Sequence, residues 1–176
     1  MKFDSITKIG ILLITSLGLL SFPLPSNAAQ YKNVAAGRCM NVFKQRGTDS
    51  GYSKVILFDC VNNDPEQDWL RTPNGNIYFQ LKLGANDQYC MNISSPVINQ
   101  YAFPYQCLFQ DPGQMLDFEP QSAGSSTGRL QFAGKGVCLS AVKQNNRIPL
   151  WQNYDFVISR ACNNSNEQKW IRQGTN

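Results

Sequence analysis

CVNNDPEQDW, Cys60 to Trp69, has a partner further along the chain in CLFQDPGQML, Cys107 to Leu116. Both read Cys-x-x-x-Asp-Pro-x-Gln-x-bulky apolar. A third version, one residue shorter, is CNNSNEQKW, Cys162 to Trp170. Gln67, Gln114 and Gln168 fall at the same place in each copy, and Trp69, Leu116 and Trp170 follow them. A second phrase precedes each of these. It reads Gly37-Arg38-Cys39-Met40-Asn41-Val42, then Tyr89-Cys90-Met91-Asn92-Ile93, then Gly136-Val137-Cys138-Leu139-Ser140. The leading cysteines sit 51 and then 48 positions apart, so the chain is a threefold repeat of a unit near fifty residues.

Each copy holds one early and one late cysteine. The economical pairing is therefore local: Cys39 with Cys60, Cys90 with Cys107 and Cys138 with Cys162. Loops of this size stabilise by roughly 3 kcal/mol each in the chain-entropy model. Metal binding is the alternative use of six cysteines, but Cys-x-x-Cys spacing and histidine are both missing.

The local signals are those of an all-β protein. KVILF, NIYFQLKL, RLQFA and DFVIS are short apolar runs bounded by Asn, Gly, Pro and Asp. Asn74–Asn76 and Ser122–Gly128 read as turns. A unit of several short strands in three copies needs closure to hide its edges, which predicts a barrel with pseudo-threefold symmetry.

The first 28 residues read as a signal peptide. Lys2 and Lys8 precede an apolar run, Pro23 and Pro25 break it, and Ser26-Asn27-Ala28 offers small residues for cleavage. The run is too short and too interrupted for a membrane span. The expected mature chain, 29–176, is one secreted domain. An export signal with an even cysteine count implies disulfides. The formal charge is +4 for the whole chain and +3 once Lys2, Lys8 and Asp4 are removed. That balance is too mild for a nucleic-acid footprint.

Three Gln-x-Trp-like motifs, each preceded by a Gly-x-Cys-Leu/Met-like motif, resemble the ricin B-type lectins. The likeness runs from about Tyr31 to Arg172. It implies a β-trefoil with three repeats, glycan ligands and no cofactor or metal. In sugar-binding members of that family three positions per lobe matter: an Asp two residues after the first cysteine, an aromatic two residues before the second, and an Asn before the motif Gln, which also contributes. Carried over, these give Asn41, Phe58, Glu66 and Gln67 in the first copy. They give Asn92, Tyr105, Gly113 and Gln114 in the second, and Ser140, Arg160, Glu167 and Gln168 in the third. Neither the family's Asp nor its Asn is kept. Glu66 and Glu167 could return an acidic acceptor, or could be solvated turn residues. In the third copy an alternative alignment, IPLWQ against VILFD, makes Trp151 the stacking platform in place of Arg160. The motif glutamines and tryptophans read first as scaffold: amides pairing backbone in a tight turn, and indoles in the core.

Tyr101, Phe103 and Tyr105 alternate with Ala102, Pro104 and Gln106, so an extended strand presents them on one face. That face is a sugar platform, a partner surface or core. Asn92 and Asn163 stand in Asn-x-Ser acceptor sequences for glycosylation. Without histidine the usual Ser-His and Cys-His nucleophile systems are unavailable, and no enzyme constellation is read. Two functions remain. One is a secreted carbohydrate-binding protein. The other is a non-catalytic cell-binding subunit that holds a toxin or enzyme partner chain, as the lectin-like subunits of cytolethal distending toxins do.

Overall fold

In the computed structural model, the described residues are 28–44, 52–74, 79–84, 86–134, 136–143 and 154–174. Residues 1–27 of the expected 1–28 signal segment, Trp151 and two residues of the Asn74–Asn76 turn lie outside them. Among the described residues twelve strands follow in order: β1 (Ala28–Asn33), β2 (Cys39–Lys44), β3 (Tyr52–Phe58), β4 (Trp69–Pro73), β5 (Phe79–Leu83), β6 (Asn86–Asn92), β7 (Phe103–Gln106), β8 (Leu116–Pro120), β9 (Thr127–Phe132), β10 (Val137–Val142), β11 (Asp155–Ala161) and β12 (Trp170–Gly174). A 3-10 turn, Asn166–Gln168, precedes β12. The turn expected at Ser122–Gly128 ends at Ser126, because Thr127 and Gly128 already pair as strand residues in β9.

Six of these strands close a ring. β1 pairs with β4, β4 with β5, β5 with β8, β8 with β9, β9 with β12 and β12 with β1, all antiparallel. Closure leaves no edge on the barrel, which removes the aggregation hazard of an open sheet. The other six strands form three hairpins, β2–β3, β6–β7 and β10–β11. Each hairpin hangs from one barrel strand, through β1–β2, β5–β6 and β9–β10. Thus the pairing pattern repeats every four strands. The hairpins also meet one another: β3 pairs with β11, and Ala102, just before β7, accepts the Val55 N–H (2.9 Å) and donates its own N–H to the Val157 carbonyl (2.9 Å). They cap one end of the barrel and leave the other end to the β4–β5, β8–β9 and terminal segments.

The core lies inside this barrel and beneath its cap. Trp69, Trp170 and Leu116 are fully buried, as are Met40, Met91 and Leu139 from the hairpin strands. A buried indole needs a partner for its N–H. Trp69 Nε1 donates to the Met40 carbonyl at 3.3 Å, and Trp170 Nε1 to the Leu139 carbonyl at 3.1 Å. The residue after each leading cysteine therefore holds the indole of its own copy. Leu116 has no such donor and is held by packing alone.

Each copy is stapled internally. The disulfides are Cys39–Cys60, Cys90–Cys107 and Cys138–Cys162, as the repeat predicts. All six cysteines are consumed, so none remains for a metal.

Candidate functional site

The motif glutamines explain why the opening phrase is written three times. Gln67 Oε1 accepts the Val61 N–H (2.9 Å), and its Nε2 donates to the Asp59 carbonyl (2.8 Å). Gln114 makes the same two bonds with Leu108 N–H (2.9 Å) and the Gln106 carbonyl (2.8 Å). Gln168 repeats them with Asn163 N–H (2.7 Å) and the Ala161 carbonyl (2.8 Å). In each copy the amide clamps the two residues flanking the trailing cysteine. All three glutamines are 1% exposed or less. Their geometry is that of a scaffold amide satisfying backbone groups. Gln168 also forms part of the wall of a surface cavity.

The clamped turn sets each hairpin's register. Phe58 stands opposite Cys39, Tyr105 opposite Cys90 and Arg160 opposite Cys138. Asn41, Asn92 and Ser140 are likewise equivalent, opposite Ile56, Phe103 and Ile158. Cysteine counting therefore gives the structural equivalence in the third copy, and Arg160 occupies the place that holds an aromatic in the other two.

In the first copy Phe58 is 42% exposed and Asn41 is buried at its side of the hairpin. Asn41 Nδ2 donates to Asp64 Oδ2 at 3.3 Å, and Asp64 Oδ1 accepts the Glu66 N–H at 3.0 Å. Asp64 reads in sequence only as a turn residue. Here it supplies the carboxylate that Asn41 lacks. Burial, then a hydrogen bond with the Glu66 side chain, raises its pKa above the ordinary 3.8. Two carboxyl groups, an amide and a half-exposed ring thus converge at this turn.

The second copy is filled from within. Gly113 replaces Glu66, and a Cβ there would lie 2.2 Å from the Ile93 carbonyl and 2.7 Å from Asn92 Oδ1. Asn92 packs against this glycine and is 5% exposed, so the folded chain has no room for a glycan on it. Tyr105 remains 49% exposed, its ring 6.2 Å from Phe103 in an edge-on contact. Tyr101 is 47% exposed but engaged: its ring meets Phe156 edge-on at 5.3 Å, and Lys54 Nζ sits 3.8 Å above it. The Tyr101–Phe103–Tyr105 face is therefore surface and not core. Tyr101 serves contact between hairpins, and Tyr105 faces solvent.

The third copy holds an open concavity of about 430 Å³. Ser140, Arg160, Glu167 and Gln168 line it together with Ile98 and Asn99. The first four are the positions named from sequence; the last two come from the β6–β7 connection of the second copy. Glu167 is fully exposed, and its own backbone N–H, then the Ser165 hydroxyl, hold its pKa below the ordinary 4.5. It is an ionised acceptor at neutral pH. Arg160 is a fixed cation with several donors, Asn99 offers an amide, and Ile98 (48% exposed) gives an apolar edge. Such a set hydrogen-bonds a hydroxylated ligand from more than one side. Ile98 and Asn99 carry no sequence signal beyond a polar loop, although Asn99 adopts φ +65°, which fixes the loop's approach.

No protein-family model matches the sequence, and neither does any curated protein. Solved structures do match in shape. A ricin B-like lectin of Macrolepiota procera in complex with lactose superposes with a TM-score of 0.64 at 14% identity, over 85% of this chain and 96% of that one. The designed 3-fold symmetric protein ThreeFoil gives 0.65 at 14%, over 84% and 98%. The Haemophilus ducreyi cytolethal distending toxin gives 0.63 at 13%, over 86% and 85%. At these identities the likeness establishes the fold alone: an all-β chain with a closed barrel-like sheet, shared with ricin B-like lectins and other trefoil-type proteins.

Proposed function

We propose that this chain is a secreted, non-catalytic glycan-binding protein, a β-trefoil of three Gln-x-Trp-type lobes whose third-lobe cavity is the principal sugar site. The observation that carries the reading is the cavity's position. It lies where the resemblance puts sugar contacts, and Ser140, Arg160 and Glu167 line it. The first-lobe cluster of Asn41, Phe58, Asp64 and Glu66 is a second, shallower site. The second lobe, closed by Asn92 on Gly113, contributes least. The signal-like segment 1–28 and three disulfides support export of residues 29–176. Open pockets of this kind bind single sugars weakly; a millimolar site is worth about −4 kcal/mol. Useful avidity comes from two lobes engaging one glycan surface.

Retention of the purified protein on immobilised lactose, and on a panel of other immobilised sugars, tests this. Elution by the free sugar supports it, and flow-through from every resin contradicts it. A second reading, the targeting subunit of a toxin or enzyme assembly, is favoured by one observation. Tyr105, Leu108 and Phe109 of the second lobe are each exposed, Phe109 at 72%. A stoichiometric partner chain co-purifying from culture supernatant, lost in Phe109→Ser, would favour that reading.

A further inference from the structure

Neighbouring lobes meet through a junction of repeated register. Between the third lobe and the first, β11 pairs with β3, with Asp155 opposite Leu57 and Phe156 opposite Ile56. Between the second lobe and the third, the Ser159 N–H donates to the Gln100 carbonyl at 2.8 Å and Tyr101 bridges to Ile158. Counted from the equivalent positions Phe58, Tyr105 and Arg160, Gln100 matches Asp155 and Ser159 matches Leu57. The two junctions are therefore the same. One step further along, this register sets Tyr154 beside Phe58 and Asn99 beside Arg160. Asn99 and Tyr154 each stand six residues before the equivalent position of their own lobe, yet each belongs by position to the site of the next.

Contacts agree with the register. Asn99 lines the third-lobe cavity together with Arg160, and its N–H donates to the Ser159 carbonyl at 2.7 Å. Tyr154 meets Phe58 with ring centroids 6.0 Å apart and planes tilted by 38°. It also meets Phe43 at 5.7 Å and packs against the buried cluster of Ile56, Phe156 and Ile158. That packing fixes the ring, which is only half-buried. The first-lobe cluster of Asn41, Phe58, Asp64 and Glu66 thus has a second aromatic surface at its edge, supplied by another copy. A pyranose has about the footprint of an aromatic ring and stacks through a flat apolar face. Two rings tilted against each other do not lie under a single pyranose; they offer a seat to each of two successive ones.

We propose that Tyr154 completes the first-lobe site across the lobe junction, and that Phe58 and Tyr154 together seat two consecutive sugar units, so that this site takes an oligosaccharide in preference to a monosaccharide. The inference rests on the sugar-binding reading and adds to it a residue and a ligand class. Asn41, Asp64 and Glu66 hydrogen-bond the unit on Phe58, and Tyr154 carries the unit beyond it. In the third lobe the same position is Asn99, an amide without a stacking face. Ligand length is therefore read by the first lobe.

Protein-observed NMR titration tests it, with lactose, maltose, cellobiose and chitobiose set against their constituent monosaccharides. The backbone amides of Asn41 and Ser140 report the first and third lobes separately. At Asn41 the preferred disaccharide should bind about tenfold more tightly than its monosaccharides, the scale of an added aromatic contact. Tyr154→Leu, which keeps apolar bulk against Phe43, should remove that advantage. Tyr154→Phe should restore it, and the Ser140 titration should be unchanged in both. Should Tyr154→Leu fail to fold, the wild-type ring signals of Tyr154, assigned by their loss in Tyr154→Phe, decide: they should shift with the disaccharide. Unshifted ring signals, no disaccharide advantage at Asn41, or an advantage that Tyr154→Leu keeps, each overturn the proposal and leave the sugar-binding reading standing; so does saturation at Ser140 with none at Asn41. Absence of saturable shifts at both amides with every sugar overturns both.

Discussion

Truncating a motif glutamine separates scaffold from ligand contact. In Gln67→Ala the Val61 N–H and the Asp59 carbonyl lose their partners at 2.9 and 2.8 Å, and Gln30 Nε2 loses a contact at 3.3 Å. A stranded buried group costs about 1–3 kcal/mol. Asp59 and Val61 are themselves exposed, so water can reach the freed backbone, which places each loss at the low end. The sum is about 2–3 kcal/mol. Cys39–Cys60 still holds the turn, so the variant should fold. Gln114→Ala should cost a similar amount, because its clamp has the same geometry. The assay is urea unfolding with the disulfides intact, read as a lowered midpoint at unchanged m-value. A change below about 0.5 kcal/mol in both variants, within the range of ordinary surface substitutions, together with lost sugar retention, would refute the scaffold role.

Four further outcomes follow from the same geometry. Trp69→Ala and Trp170→Ala should each cost about 3–5 kcal/mol and abolish recovery of folded protein; a native-like circular dichroism spectrum for either would contradict the core assignment. Gly113→Ala should destabilise by several kcal/mol, because the new Cβ meets the Ile93 carbonyl backbone at 2.2 Å, and thermal unfolding will show it. Phe58→Ala should leave the unfolding midpoint nearly unchanged while weakening retention through the first lobe, since the ring is 42% exposed. On acidification Asp64 is protonated at a higher pH than an ordinary aspartate and Glu167 at a lower pH than an ordinary glutamate, so Asp64→Asn should change the acid side of the retention profile. The linked stability effects have opposite signs. The raised Asp64 pKa stabilises the fold as pH falls through it, and the lowered Glu167 pKa contributes stability present above 4.5 and lost below. Retention against pH for wild type and Asp64→Asn checks this; identical profiles would contradict it.

The repeat made much of the fold legible. Cysteine spacing, the Gln clamp and the paired indoles are local to each copy, so sequence distance carries their geometry. The site was legible only in part. Ser140, Arg160 and Glu167 converge because hairpin register follows from the disulfides. Asp64 reaches Asn41 across 23 positions by folding its turn back over the hairpin, which a turn motif does not announce. Ile98 and Asn99 enter the third-lobe cavity from the preceding copy, and a repeat-by-repeat alignment cannot place a residue in a neighbour's pocket.

A glycan array probed in parallel with wild-type protein, Glu167→Gln and Arg160→Ala tests the central claim most directly. The account predicts saturable binding of a defined glycan set by wild type and a loss of about tenfold in each variant, the scale of a charge-assisted hydrogen bond. Both variants should keep the wild-type unfolding midpoint, because the two side chains are exposed. Binding that both variants retain at full strength, or an array to which the folded wild type does not bind, would contradict it.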